Sequence, residues 1–187
     1  MHPLPAVEAL LAALPPETMI VDEGVTNDPY VRAFHRVRNP GRFLYSRGGG
    51  LGWGLPAALG VSLGRDREPV VAVVGDGSFL YTPQALWTAV REGLPVVAVV
   101  MNNRGYLILR RFLAEMRGLS GPAVLDAPRA GLDIAAPGVD LVSIARGFGA
   151  DAIRVDRVPE LGDAVRAALA AARPTVIEAQ VSAPAVG

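Results

Sequence analysis

Two short polar segments of this sequence carry side chains that could hold a metal ion. One comprises residues 75–78, Gly-Asp-Gly-Ser, and the other residues 102–105, Asn-Asn-Arg-Gly, and each directly follows an apolar, β-branched run. A carboxylate, an amide oxygen and a nearby carbonyl form a hard ligand set of low charge. Such a set suits Mg²⁺ and leaves positions for phosphate oxygens and water. The two segments therefore indicate a site for Mg²⁺ and a phosphate group.

The residues around Asp76 fit the same chemistry. Gly75 and Gly77 have no side chains, so the backbone can come close to a phosphate group there. Ser78, together with the N–H groups that open the next helix, can bind phosphate oxygens. A single Gly-Asp-Gly is most often only a turn. Its pairing with two asparagines after the next apolar run, and with a glycine-rich segment upstream, favours a ligand site.

Short apolar runs alternate with helical patterns along the chain, and these elements must position the two polar segments. We predict strands at residues 19–22, 70–74, 96–101, 152–155 and 175–181. We predict helices at residues 6–14, 55–63, 83–92, 106–114, 141–148 and 160–172. The strands are continuous apolar runs, which is typical of strands buried on both faces. We therefore expect an α/β fold, with an open, mostly parallel sheet and helices on both faces.

Ligands bind at the carboxyl ends of the strands in such a sheet. Neighbouring strands lie about 4.8 Å apart, so loops that follow two neighbouring strands can reach one ion. The whole chain, residues 1–187, is expected to form a single domain. Residues 118–139, which are rich in Gly, Pro and Ala, are interpreted as a loop within that domain.

The composition excludes several classes of function. The 18 basic and 18 acidic residues cancel, so no strong field attracts nucleic acid or an anionic membrane. All the basic residues are Arg, which excludes a Walker A phosphate loop and a Schiff-base lysine. The absence of Cys excludes disulfides and a thiol nucleophile. No apolar run is long enough to span a bilayer and no secretion signal is apparent, so a cytoplasmic location is expected.

The spacing of the two polar segments resembles the thiamine-diphosphate motif of 2-oxo-acid decarboxylases and acetolactate synthases. In that motif a Gly-Asp-Gly is followed, after one further strand, by Asn-Asn. The resemblance covers nearly the whole chain. Within this superfamily the sequence is most similar to the benzoylformate decarboxylases, at residues 48–52, 55–58, 85–89 and 101–103.

The resemblance implies a role for each matching position. Asp76, Asn103 and the carbonyl of Gly105 correspond to ligands of Mg²⁺. Gly77, Ser78 and Tyr106 correspond to residues that contact the diphosphate. The further positions implied to bind the cofactor are Glu23, Gly24, Thr26, Gly49, Gly50, Leu51 and Gly75.

Two of these positions carry catalytic roles in the family. Leu51 matches the bulky residue that supports the cofactor in its bent form, and the carbonyl of Gly49 matches the acceptor of a hydrogen bond from the aminopyrimidine. Val25 stands where the family often has a hydroxyl, which weakens one expected phosphate contact.

The resemblance also implies that the catalytic machinery is incomplete in this chain. In the family a Glu on a separate pyrimidine-binding domain, normally from another subunit of a homodimer or homotetramer, activates the cofactor, and no such domain is recognisable here. We therefore expect the chain to be inactive alone. It would be either the C-terminal part of a larger enzyme or the natural subunit of a split decarboxylase, as in sulfopyruvate decarboxylase. Decarboxylation and carboligation both remain open.

The helix predicted after the two asparagines is expected to line the substrate pocket with Ile108, Leu109 and Phe112. In the resemblance Phe112 matches an aromatic residue of benzoylformate decarboxylases. Ile108 falls where those enzymes have a small residue and pyruvate decarboxylases have a bulky one. We therefore expect a preference for short or aliphatic 2-oxo acids over benzoylformate, although Ile108 could also be a core residue.

A hypothesis from a different class of protein is that the chain is an NAD-binding domain. Residues 52–57, Gly-Trp-Gly-Leu-Pro-Ala, match the G-x-G-x-x-A fingerprint, and Asp76 would be the acid that binds the ribose. Two observations oppose it: residues 43–46 are a poor strand, and the two asparagines have no role. A third reading is a non-catalytic relative that binds the cofactor for structure or regulation.

Overall fold

A six-stranded parallel sheet forms the centre of the computed structural model, which describes residues 1–35, 40–118 and 131–182. The strands are β1 (Met19–Glu23), β2 (Phe43–Tyr45), β3 (Val70–Gly75), β4 (Val96–Asn102), β5 (Asp151–Val155) and β6 (Thr175–Gln180). Their order across the sheet is β2-β1-β3-β4-β6-β5, and each neighbouring pair is parallel. The expected open parallel sheet is confirmed.

Eight helices connect these strands in the described part of the chain. They are α1 (Pro3–Ala12), α2 (Asp28–Phe34), α3 (Gly54–Gly64), α4 (Asp76–Tyr81), α5 (Ala85–Glu92), α6 (Leu107–Met116), α7 (Leu141–Gly147) and α8 (Val158–Ala171). Buried side chains of α1, α2 and α8 pack on one face of the sheet. Those of α3, α4, α5 and α7 pack on the other face, so both faces are covered as predicted.

The central strands explain why helices are needed on both faces. In β3, Val70, Ala72 and Val74 join one core cluster, while Val71 and Val73 join the other. All five side chains are buried. Successive residues of a strand point to opposite faces, so an uninterrupted aliphatic run must be covered on each side.

The two edge strands are not buried on both faces: β5 departs from the prediction, and β2 was not among the predicted strands. In β5 the side chain of Ile153 is 47% exposed, and in β2 that of Tyr45 is 39% exposed. An edge strand lies at the border of the sheet, so its side chains have fewer neighbours than those of a central strand. Residues 43–46, judged a poor strand from the sequence, contain β2, which pairs with β1 through three residues.

Several helix predictions also need correction. The prediction of one helix at 83–92 missed α4, which begins directly at Asp76 because the turn expected after β3 is already helical. α2 was not predicted, since Asp28 to Phe34 lacks a clear apolar period. Residues 119–130 of the predicted 118–139 loop lie outside the described residues. No helix in the described ranges is long and apolar enough to cross a membrane.

Candidate functional site

The carboxyl ends of three adjacent strands meet at one edge of the sheet. Glu23 of β1 is in register with Val74 of β3, which is in register with Val100 of β4. The chain moves from β1 to β2 on one side and returns to β3 on the other, so the winding direction changes between β1 and β3. Ligands bind at such a point in open α/β sheets.

A cleft at this point is lined by most of the residues that the sequence singled out. The loops after β1, β3 and β4, the start of α6 and the glycine-rich segment all contribute to it. The predicted site residues that line it are Gly24, Thr26, Leu51, Gly75, Asp76, Gly77, Ser78, Asn103, Gly105, Tyr106 and Ile108. The fold therefore brings together two polar segments that lie on either side of α5 in the sequence, one after β3 and the other after β4.

Asp76 is the only carboxylate that lines this cleft in the described part of the chain. Its side chain is 3% exposed, and its Oδ2 accepts a hydrogen bond of 2.9 Å from the N–H of Gly105. Burial raises the pKa of Asp76 to about 6, although the N–H groups of Gly77 and Gly105 act in the opposite direction. A cation bound here would favour the ionised carboxylate.

The two asparagines after β4 have different environments. Asn102 is buried: its Nδ2 donates to Glu178 at 2.6 Å and its Oδ1 accepts from the N–H of Arg104 at 2.9 Å. Asn103 lines the cleft, and its buried Oδ1 has no hydrogen-bond partner among the described residues. A buried amide oxygen without a partner is costly unless a ligand completes it. Together with Asp76, this oxygen fits the preference of Mg²⁺ for oxygen ligands.

The loop that carries Gly105 is held by backbone contacts from a distant segment. The N–H of Tyr106 donates to the carbonyl of Leu132 at 3.0 Å, and the N–H of Ile134 donates to the carbonyl of Arg104 at 3.1 Å. Gly105 and Asp133 form an antiparallel bridge. These contacts fix the direction of the Gly105 peptide beside Asp76.

Three predicted residues face a second cavity instead of the cleft. Glu23, Gly49 and Gly50 line a neighbouring cavity of about 190 Å³. Gly24 and Val25 border both spaces, so the loop after β1 forms the wall between them. The predicted cofactor-binding residues are therefore divided between two adjoining spaces.

The carboxylate of Glu23 forms hydrogen bonds within the protein. Glu23 is 4% exposed, and its carboxylate accepts hydrogen bonds from the N–H groups of Gly52 and Gly54. The hydroxyl of Ser78 also contacts it. Burial raises the pKa of Glu23, while these three donors lower it in part. Ser78, predicted to contact the diphosphate, thus already shares its hydroxyl with Glu23.

Two polar residues near the cleft were not predicted from the sequence. Asn27 lines the cleft, and neither atom of its buried amide group has a partner within the described ranges. Asp22 is 3% exposed and lies beside Asp28; burial raises its pKa to about 7, and the N–H of Gly24 lowers it in part. Asp22 and Asn27 flank the loop at the end of β1. This position is the only feature of the sequence that could have indicated their place near the site.

The three predicted substrate-pocket residues separate along α6. Ile108 lines the cleft, whereas Leu109 and Phe112 are outside its lining and are 41% and 53% exposed. Ile108 is half-buried, and its place in the cleft lining favours the pocket role over the core role. The role of Leu109 and Phe112 in the substrate pocket stays a prediction, and it requires further protein surface to complete that pocket.

Similarity to known proteins identifies the family of this chain. The family "Thiamine pyrophosphate enzyme, C-terminal TPP binding domain" matches residues 26–179 of the chain. The chain belongs to this family. Thiamine pyrophosphate is another name for thiamine diphosphate, so the resemblance drawn from the two polar segments is confirmed.

Individual relatives agree with the family assignment. Benzoylformate decarboxylase of Pseudomonas aeruginosa is 37% identical over 95% of this chain and 32% of its own length. Acetolactate synthase of Bacillus subtilis is 29% identical over 96% of the chain and 30% of its own length. The solved structure of a thiamine diphosphate-dependent 4-hydroxybenzoylformate decarboxylase from Rhodococcus jostii has a TM-score of 0.86 at 31% identity, covering 97% of this chain and 33% of that one. The chain thus spans about a third of the length of these relatives.

The NAD-binding reading is also disfavoured by the backbone. A dinucleotide fingerprint needs its glycine-rich turn to approach a pyrophosphate at the start of a helix. Here the N–H groups of Gly52 and Gly54 are both bound to Glu23. The sequence-based objection that residues 43–46 are a poor strand carries less weight, because the three-residue strand β2 does precede the fingerprint. The occupied N–H groups provide the stronger objection.

Proposed function

We propose that this chain binds Mg²⁺ and the diphosphate of thiamine diphosphate as the C-terminal, diphosphate-binding part of a 2-oxo-acid decarboxylase similar to benzoylformate decarboxylase. One observation carries the proposal. The buried carboxylate of Asp76 and the unpartnered Oδ1 of Asn103 line the same cleft at the winding reversal of the sheet. A cation beside Asp76 would give the Asn103 oxygen the partner that it lacks among the described residues.

The proposal assigns a role to the polar groups that line the cleft. Asp76, Asn103 and the carbonyl of Gly105 would hold Mg²⁺, which would supply positive charge for the diphosphate. Gly77 and Tyr106 contact the diphosphate. This ligand set has a single negative charge, so a divalent cation bound to it would keep a net positive charge that attracts the phosphate oxygens.

The apolar residues of the cleft serve the part of the cofactor beyond the diphosphate. Leu51 would support the cofactor from within the cleft, and the carbonyl of Gly49, which lines the adjoining cavity, would accept a hydrogen bond from its aminopyrimidine. Val25, Leu107 and Ile108 add apolar side chains to the lining of the same cleft. When bound, the cofactor supplies the nucleophilic carbon and the electron sink that decarboxylation of a 2-oxo acid requires.

The proposal requires protein outside this chain. Relatives are about three times as long, and we propose that a pyrimidine-binding domain, from the same polypeptide or a separate subunit, brings the activating Glu within a homodimer or homotetramer. The chain alone is then expected to decarboxylate no 2-oxo acid. The similarity to an acetolactate synthase supports carboligation as a second candidate reaction.

Calorimetric titration of the chain tests the proposal. We expect heat of binding for thiamine diphosphate in the presence of Mg²⁺, and none for NAD. Asp76→Ala should abolish the Mg²⁺-dependent binding, because it removes the only carboxylate that lines the cleft in the described residues. Asp163→Ala, on the exposed surface of α8, is the control. Binding of NAD, or unchanged cofactor affinity of Asp76→Ala, would refute the site.

A further inference from the structure

The carboxylate of Glu23 holds two peptide groups of the glycine-rich segment. Oε1 accepts the N–H of Gly52 and Oε2 accepts the N–H of Gly54. Glu23 is the last residue of β1, where it pairs with Val74 of β3, and β1 lies between β2 and β3 in the sheet. A rigid strand therefore carries the acceptor, and a loop carries the two donors.

The opposite side of the same loop is held by a threonine. The carbonyl of Gly52 accepts a hydrogen bond of 2.8 Å from the Oγ1 of Thr82. Gly52 has φ of +92°, and a Cβ there would lie 2.5 Å from the Cβ of Tyr81. The peptide groups on both sides of Gly52 are thus constrained, one by Glu23 and the other by Thr82.

Close packing at Gly54 completes this arrangement. A Cβ at Gly54 would lie 2.6 Å from Oε2 of Glu23 and 2.8 Å from its Cβ. Only glycine lets the start of α3 come this close to the carboxylate. The contact is therefore an intimate fit between strand end, loop and helix.

The residue that the loop delivers is Leu51. The N–H bound by Glu23 belongs to the peptide that joins Leu51 to Gly52, so the direction of this peptide sets where the Leu51 side chain points. Leu51 lines the cleft, whereas Glu23 does not. Glu23 can therefore act on the cleft through the residues that it holds.

We propose that Glu23 is a positioning residue: its carboxylate holds the peptides of Gly52 and Gly54 so that Leu51 projects into the cofactor cleft. This inference rests on the proposed function, because Leu51 matters only if the cleft holds the cofactor. It assigns Glu23 a different task from a direct contact with the diphosphate. The two tasks predict different responses to ligands with and without a thiamine part.

Glu23→Gln tests the proposal, because it keeps the size of the side chain and replaces one acceptor oxygen with a donor that faces an N–H group. Hydrogen exchange of the chain should show faster exchange at Gly52 and Gly54. Calorimetry should show the affinity for Mg²⁺ with thiamine diphosphate falling by about tenfold or more. The affinity for Mg²⁺ with inorganic pyrophosphate should change by less than about threefold, because pyrophosphate does not reach Leu51.

Three further variants make the outcome decisive. Leu51→Ala should weaken thiamine diphosphate binding alone and leave exchange at Gly52 and Gly54 unchanged. Thr82→Val releases the other side of the loop and should give the Glu23→Gln pattern in weaker form; it tests the proposal even where Glu23→Gln unfolds. Ser62→Ala, which removes a buried hydroxyl that donates to the carbonyl of Glu68, is the control for stability.

The possible results are distinct. Equal loss of pyrophosphate and thiamine diphosphate binding in Glu23→Gln would make Glu23 a diphosphate contact and overturn the positioning role. Unchanged exchange at Gly52 and Gly54 in both Glu23→Gln and Thr82→Val would also overturn it. If the unmodified chain binds neither ligand, the proposed function itself fails, and faster loop exchange in Glu23→Gln would then be purely structural.

Discussion

The N–H of Gly105 donates a hydrogen bond of 2.9 Å to Oδ2 of Asp76, which joins the loop after β4 to the first residue of α4. Because Asp76 is 3% exposed, such N–H groups are its substitute for water. They do not fully compensate for burial, since the pKa of Asp76 is raised to about 6. A positive charge beside this carboxylate would offset the cost of burying its ionised form.

Replacing Asp76 by Asn separates the charge from the hydrogen bond. The amide oxygen of Asp76→Asn can still accept the N–H of Gly105, so we expect the urea midpoint at about pH 8 to stay the same or rise. Mg²⁺-dependent binding of pyrophosphate should fall by at least about tenfold, or 1.4 kcal/mol. Calorimetry and urea denaturation measure the two effects. Retention of full pyrophosphate affinity would contradict a Mg²⁺ role for the carboxylate.

The buried carboxyl of Asp22 predicts a pH-dependent stability. Its pKa is about 7 in the folded chain and 3.8 for an unperturbed group, chiefly because burial disfavours the charged form. The folded state thus binds this proton more tightly. The stability that Asp22 contributes is complete below about pH 4 and is lost as the pH rises through about 7.

Asp22→Asn removes this titration and keeps a neutral group beside Asp28. Relative to the unmodified chain, its free energy of unfolding should increase between about pH 5 and pH 8, by about 1 to 3 kcal/mol. Urea denaturation at both pH values measures the difference. Asp163→Asn, whose side chain is 76% exposed, is the matched control and should show no such trend. An equal effect of Asp22→Asn at both pH values would exclude Asp22 as the titrating group.

The contact between Gly77 and Tyr106 predicts a steric effect in the cleft. A Cβ at Gly77 would overlap the ring of Tyr106, with Cδ1 at 2.8 Å and Cζ at 3.0 Å. Gly77→Ala should lower the free energy of unfolding by about 1 to 3 kcal/mol and weaken pyrophosphate binding. Thermal denaturation and calorimetry measure these losses.

A double-mutant cycle assigns the loss to the tyrosine ring. Adding Tyr106→Leu should recover part of the stability lost in Gly77→Ala, because the smaller side chain leaves room for the new methyl group. Gly60→Ala is the control, since a Cβ at that helical glycine meets nothing within 4 Å. Its expected effect is a gain of about 0.5 to 1 kcal/mol. Strict additivity of the two cleft substitutions would show that the ring is not the obstacle.

The sheet could be predicted well from the sequence because its signal is local. Val70 to Val74 and Val96 to Met101 are unbroken aliphatic runs, and only burial on both faces accommodates them. The division of labour between Asn102 and Asn103 could not be predicted. It depends on Glu178 of β6. This strand is far from β4 in the sequence but pairs with it in the sheet.

The role of Glu23 was beyond sequence reasoning for a similar reason. The family pattern locates it in the loop after β1, next to residues that do line the cleft. Its side-chain direction depends on where Gly52 and Gly54 present their N–H groups. Those directions follow from the positive φ of Gly52 and the Thr82 contact, which no spacing in the sequence encodes.

Substrate size is predicted to depend on Ile108, which lines the cleft at the start of α6. In the complete enzyme, Ile108→Ala should raise the ratio of kcat/KM for benzoylformate to that for pyruvate by at least about tenfold, or 1.4 kcal/mol. The physical reason is that removing three carbons makes room for an aryl group. Leu109→Ala, at a residue outside the cleft lining, is the comparison. A ratio that moves by less in Ile108→Ala would mean that another residue sets substrate size.

The short edge strands bear on how the chain misassembles. Strands β3 and β4 are aliphatic segments of six and seven residues without a charge, a composition that promotes pairing between copies of a chain when it is exposed. In the folded sheet both are interior. The borders are β2, with three residues, and β5, which carries exposed Asp151 and Arg154. Such borders discourage the addition of a further strand. Aggregation should therefore begin from unfolded chains and depend on how long β3 and β4 stay uncovered during folding.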